Sequence, residues 1–153
     1  MMMKYPIRTI GWIVDSVEDS VNFYQEKLGY SLTLFKPGEF ALFDAYGSVF
    51  FFWQRSHLNE HFGADVMAHV KHSCMAAIKF DTPKEVDAAC TELKSRGVNF
   101  LVEPNDWPWD ARAAYFIDDH GYIWELFAWI GGDERPTAQW AKYGKKSESA
   151  SDS

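Results

Sequence analysis

Residues 7–30 read IRTIGWIVDSVEDSVNFYQEKLGY, and the fold is decided by how this stretch is divided. Ile7 to Val14 is apolar and β-branched enough for a strand. Asp15 and Ser16 are residue types that cap helices. Val17, Val21, Tyr24 and Leu28 then fall at spacings of four, three and four, the apolar stripe of an amphipathic helix. Gly29 is the residue type that ends one, so the spacing predicts a helix over 17–28. Three strand-like runs follow, SLTLF (31–35), EFALFDAY (39–46) and SVFFFW (48–53), separated by Pro37-Gly38 and Gly47.

The same order then returns. Residues 74–80, CMAAIKF, read as a strand, and Asp81, Thr82 and Pro83 open a second helix, with Thr82 as cap and Pro83 in the first turn. Val86, Ala89, Cys90 and Leu93 form its stripe and Gly97 closes it, which predicts a helix over 84–96. Strand-like runs NFLVE (99–103), ARAAYFI (111–117) and YIWELFAW (122–129) come next, the last two joined by the turn DDHG (118–121). Asp15 to Asp81 and Ser16 to Thr82 are both 66 residues apart, while Gly47 to Gly121 is 74, because the second copy has a longer helix and loop. The chain is therefore an α+β protein that reads βαβββ twice. The modules span 5–54 and 73–130, with a linker over 55–72. Residues 131–153, ending KKSESASDS, are a polar C-terminal tail expected to be partly disordered.

Composition narrows the function classes. A net charge of −7 disfavours a nucleic-acid surface, which needs Lys and Arg against phosphate, and permits a cationic ligand. The start of the chain has no apolar segment of signal-peptide type, and the longest aromatic-aliphatic run, Val49 to Trp53, is too short to span a bilayer. A cytoplasmic location without membrane or nucleic-acid partners is the expectation. Cys74 and Cys90 match no metal spacing and are expected to be reduced and buried. Aromatics reach 17%, with 7 Trp; most of these serve a small β-rich core, and the remainder are available for a cleft or an interface.

The motifs themselves carry a resemblance. VDSVEDSVNFYQEKLGY (14–30) is similar to the strand-helix start of the glyoxalase, bleomycin-resistance and dioxygenase superfamily, also called vicinal oxygen chelate proteins. WPWDARAAYFIDDHGYIWELF (107–127) resembles its closing hairpin, with a Trp, an Arg shortly after, an aromatic strand, an Asp-rich turn with Gly and a Glu in the last strand. The resemblance implies two βαβββ modules forming a curved, open sheet around a cleft, and often a homodimer.

It also implies where a divalent metal would sit, on one ligand from the first and one from the last strand of each module. Seven residues before Ser16 and Thr82 lie Thr9 and Met75. The last-strand position is Glu125, whose counterpart 74 residues earlier is Phe51. Only Glu125 is a good ligand; Phe51 has no donor and the Met75 thioether suits hard ions poorly. No metal, no cofactor and no catalytic residue is therefore expected at this cleft. The segment HLNEH (57–61) fits an H-x-x-E-H pattern, but its place in the linker favours solvated side chains. His69, His72 and His120 read as exposed loop residues.

Alternation along the strands places Met75, Ala77 and Lys79 towards the cleft, with Phe51 and Trp53 from the other module and Ile123, Glu125 and Phe127 from the last strand. Trp107, Trp109 and Arg112 come from the hairpin loop and Tyr115 from its strand. The expected ligand-binding set is Phe51, Trp53, Met75, Trp107, Trp109, Arg112, Tyr115 and Glu125. Two roles are open to Arg112, contact with a guest or pairing with Glu125. The reading this supports is binding of a small organic, cationic aromatic molecule without metal, as the similarity to drug-sequestering bleomycin-resistance proteins implies. Its rivals are a metal-dependent lyase, isomerase or dioxygenase of the same superfamily, and a structural partner protein whose aromatic surface is an interface.

Overall fold

The computed structural model describes residues 5–7 and 9–131. Strand β1 (Thr9–Val14) leads into helix α1 (Val17–Val21), which widens into a π-helical turn over Asn22–Lys27. Strands β2 (Ser31–Lys36), β3 (Phe40–Ala45) and β4 (Ser48–Gln54) complete the first module. The second module is β5 (Cys74–Lys79), α4 (Pro83–Ser95), β6 (Asn99–Trp107), β7 (Ala111–Ile117) and β8 (Ile123–Trp129). Between them lie α2 (Arg55–Phe62) and α3 (Ala64–Met67). The 131–153 tail lies outside the described residues beyond Gly131.

All eight strands join one open sheet in the order β2-β3-β4-β1-β5-β8-β7-β6. The modules meet along antiparallel β1 and β5, where Thr9 pairs with Ala77 and Gly11 with Met75. Within each module the first strand runs parallel to the last, with Gly11 opposite Phe51 and Ala77 opposite Glu125. These registers carry the repeat: moving 66 residues along the first strand and 74 along the last turns the Gly11–Phe51 pair into Ala77–Glu125. The helices start as their caps dictate. Ser16 accepts a hydrogen bond from the Asp19 amide and Thr82 from that of Glu85. The β3–β4 turn needs Gly47, because Tyr46 and Gly47 both have positive φ, 54° and 108°.

Two findings differ from the sequence reading. The first helical stripe ends early: Val17 and Val21 are buried, but Leu28 is 52% exposed. The Leu28 amide bonds to the Phe23 carbonyl, five residues back, so the π-turn rotates Leu28 away from the face that a 3.6-residue period assigns it. The linker is also no solvated connection. Helix α2 buries His57, Leu58 and Phe62 against the sheet, with Val66, Met67 and Val70 packed beside them.

The sheet's two faces are consequently covered differently. One carries two separate cores, Val17, Val21, Ala41, Phe43 and Phe52 under α1, and Ile78, Phe80, Val86, Ala89 and Cys90 against α4. The other carries a single core that runs across the module seam and takes in α2. Gly11 lies at that seam. A Cβ added there would fall on the Phe51 ring, within 2.6 Å of Cε2. Gly11→Ala should therefore lower stability by about 1–3 kcal/mol through overpacking. Combining it with Phe51→Leu should cost less than the sum of the two single changes. Urea unfolding of the four proteins tests this, and strict additivity would mean that the ring does not need the glycine.

Candidate functional site

The β7–β8 hairpin places the decisive polar group. Its register sets Tyr115 opposite Glu125, and both point to the face shared with Ala77, Met75 and Phe51. Glu125 is buried at 7% exposure and Tyr115 completely. The Tyr115 hydroxyl donates a hydrogen bond to Glu125 Oε2. Burial disfavours the carboxylate and pushes the Glu125 pKa up to about 7, although the tyrosine bond works in the opposite direction. Burial and the neighbouring carboxylate together push the Tyr115 phenol well above its ordinary value.

Around Glu125 lies a small apolar cavity lined by Thr9, Phe40, Leu42, Phe51, Trp53, Trp109, Ala111, Phe127 and Trp129. Its volume is about 40 Å³, room for roughly two or three water molecules. The expected cleft is therefore small and half-open, and aromatic rings take up much of it. Trp109 meets Trp53 edge-on at 5.2 Å and stacks on Trp107 at 5.1 Å and 8°. Trp107 donates its indole N–H to the Ala113 carbonyl at 3.1 Å. Helix α2 backs these side chains: Phe62 packs on Tyr115 with ring centroids 4.6 Å apart, and His57 on Trp53 and Trp109 at 6.0 and 5.7 Å. Burial lowers the His57 pKa below its ordinary value, against the pull of the Glu39 carboxylate.

Five of the eight anticipated residues meet here: Phe51, Trp53, Trp109 and Glu125 line the cavity and Tyr115 bonds to Glu125. Met75 and Trp107 are buried in the same core without lining the cavity. Arg112 is the correction. Strand alternation turns it to the other face, where Nε bonds to Asp87 of α4 at 2.7 Å and Nη1 to Asp106 at 3.0 Å. It neither pairs with Glu125 nor faces the cavity. Cys74 is also less buried than expected, half-exposed while Cys90 is buried; both are free thiols. Phe40, Leu42 and Trp129 also line the cavity; alternation from Phe127 reaches Trp129 and the β3–β4 pairing reaches the other two. His57 and Phe62 carried a usable signal, since Leu58 and Phe62 stand four apart, as do His57 and His61.

The chain matches the model of the glyoxalase/bleomycin resistance protein/dioxygenase superfamily over residues 7–126. It belongs to that superfamily. A superfamily member from Nocardioides is 32% identical, with 91% of each chain covered and a TM-score of 0.39. Methylmalonyl-CoA epimerase from Streptomyces coelicolor shares 18% identity over 87% of this chain and all of its own, with a TM-score of 0.64. An NAD-dependent benzaldehyde dehydrogenase from Legionella pneumophila shares 14% over 79% of this chain and 97% of its own, with a TM-score of 0.66. The last two likenesses concern the fold alone. No curated protein matches the chain.

The superfamily's metal positions fall on one face of this sheet, but their chemistry here does not fit a divalent ion. Thr9 offers a hydroxyl, Phe51 a hydrocarbon ring lying over Gly11, Met75 a buried thioether and Glu125 a carboxyl held by a tyrosine. What remains is an acid in an apolar setting. Its folded pKa of about 7 lies above the ordinary 4.5. Its contribution to stability is therefore complete below about pH 4.5 and is lost as pH rises to about 7. Glu125→Gln, which keeps an acceptor for Tyr115, should gain on the wild type across that window by of the order of 3 kcal/mol, then run parallel above it. Denaturant unfolding between pH 4.5 and 8 reads this directly. A constant difference across the range would count against a raised Glu125 pKa.

Proposed function

We propose that this superfamily member binds a small organic cation, an aromatic amine by preference, with Glu125 as its anchor and without a metal at the strand positions. The observation that carries the reading is a buried carboxyl on the floor of an apolar, Trp-lined cavity, with Arg112 occupied elsewhere. A pocket of apolar walls and one placed polar group suits recognition of an organic guest. The cavity has room for an ammonium head. The aromatic remainder would stack on Trp109 and Trp129 at the opening, where ring faces attract positive charge. A larger guest requires Trp109 to swing aside.

A second reading rests on the Glu125 pKa. A carboxyl that titrates near 7 and is held by Tyr115 is suited to proton transfer, as in an isomerase or lyase. Incubation with candidate amines and ketones followed by mass spectrometry separates the two readings: a binder returns its guest unchanged.

The binding reading is tested with matched cationic, neutral and anionic aromatic compounds, followed by tryptophan fluorescence. The cationic compound should bind tightest, and its affinity should rise as pH climbs from 6 to 8, because the carboxylate must form. Glu125→Gln should weaken it ten-fold or more, at about 1.5–3 kcal/mol for a hydrogen bond to a charged group. Trp109→Ala should weaken cationic and neutral compounds alike, and Arg112→Ala neither. Equal affinities across the series, unmoved by Glu125→Gln, would defeat the proposal.

The active form is proposed to be a two-fold dimer. Support comes from the exposed apolar residues Ile10, Trp12 and Tyr122, at 43%, 36% and 39% exposure, on the helix-bearing face near the seam. They adjoin a groove formed by Ile7, Cys74, Ile123 and Trp124. Sedimentation at high micromolar concentration should give a dimer that Trp12→Glu dissociates; a wild-type monomer there would end this idea.

A further inference from the structure

We propose that His57, Glu60 and His61 form a site for a borderline divalent transition metal such as Zn²⁺, carried by the helix that joins the two modules. The three residues stand at i, i+3 and i+4 of α2, so a single face of the helix presents them all. One donor atom from each lies within 4.8 Å of the others. Donors around Zn²⁺, held at about 2.0–2.2 Å, stand roughly 3.4 Å apart in a tetrahedron. Turning of the exposed Glu60 carboxylate about its own side-chain torsions would bring its oxygen closer to the imidazoles. Two imidazoles and one carboxylate match the preferences of Zn²⁺, Ni²⁺ and Cu²⁺.

A second observation points to a ligand. His57 is 4% exposed, and its buried Nε2 has no hydrogen-bond partner among the described residues. Buried polar atoms are almost always satisfied, and a bound ion would satisfy this one. The other ring nitrogen, Nδ1, faces the Glu39 carboxylate at 3.8 Å. That distance is beyond a hydrogen bond, but the carboxylate stands on the side from which one would orient a ligating imidazole. The rings are also held in place: His57 and His61 have centroids 4.4 Å apart, and His61 stands edge-on to Trp109 at 5.3 Å and to Trp107 at 6.2 Å.

Three protein donors leave at least one coordination position for water or for an anionic group of an incoming molecule. That is the ligand count of a reactive rather than a structural zinc site. The site shares no residue with the strand positions Thr9, Phe51, Met75 and Glu125, and it does not depend on cation binding in the cavity. Trp53 and Trp109 touch both places, since they line the cavity and pack on His57. An ion on α2 would therefore be sensed by the same indoles.

The test uses the full chain without an affinity tag, stripped with EDTA and titrated with Zn²⁺ in competition with a chromophoric chelator at pH 7.5. One ion per chain should bind. His61→Ala should weaken it ten-fold or more and Glu60→Gln several-fold, both with unchanged circular dichroism and melting temperature in the absence of metal. Since His57 is buried and its removal endangers the fold, those two partly exposed positions carry the test. Glu125→Gln, His72→Ala and Cys74→Ser should leave affinity unchanged. Cu²⁺ should quench tryptophan fluorescence to saturation at one equivalent in the wild type and not in His61→Ala. Failure to saturate at one ion per chain, full affinity after His61→Ala, or loss of the ion in Glu125→Gln would each overturn the assignment.

Discussion

Everything in this molecule depends on the antiparallel contact between β1 and β5. Among the described residues it is the sheet's only join between the two modules, and it sets Gly11 opposite Met75 and Thr9 opposite Ala77. Each module alone has a three-stranded meander plus a parallel first strand, with one face covered by its own helix. The other face is left bare until the seam forms. Joining β1 to β5 merges those bare faces into one surface, and a single core spans it. The seam must be narrow in side-chain terms for this to work, which is why a glycine accepts the Phe51 ring there.

Most of the architecture was readable because its signals are local. Caps at Ser16 and Thr82, the stripe on α4, and the glycines between strands each depend on a few neighbouring residues. The repeat then fixed registers that local signals leave undetermined, and alternation assigned Glu125, Phe51 and Tyr115 to one face. Two kinds of information were not local. The π-turn over Asn22–Lys27 changes the helical period, and with it the direction of Leu28, without any distinctive residue. The role of the linker depends on a tertiary surface that exists only after the modules meet. Residues 55–67 look polar along the chain because only Leu58, Phe62 and a few others pack downward. Arg112 belongs to a third kind of miss. Its motif suggested the cleft, yet period-two geometry, applied from Tyr115, places it with Asp87 on the opposite face.

The candidate site shows the same division. Its floor belongs to the sheet and could be listed from alternation. Its roof belongs to α2 and could not. The roof changes the electrostatics as well as the shape, because Phe62 against Tyr115 helps to keep the Tyr115–Glu125 pair dry. A carboxyl in water at that position would be an ordinary surface acid. Under the roof it titrates near neutrality.

The equivalence of Phe51 and Glu125 has a consequence for recognition. Two modules related by a near two-fold operation would, if identical in sequence, enclose a space with no direction, in which a molecule could sit either way round. Here the operation carries a hydrocarbon ring onto an acid. The enclosed space therefore has an axis, oily at one pole and acidic at the other. A scaffold built by doubling has become one that distinguishes head from tail.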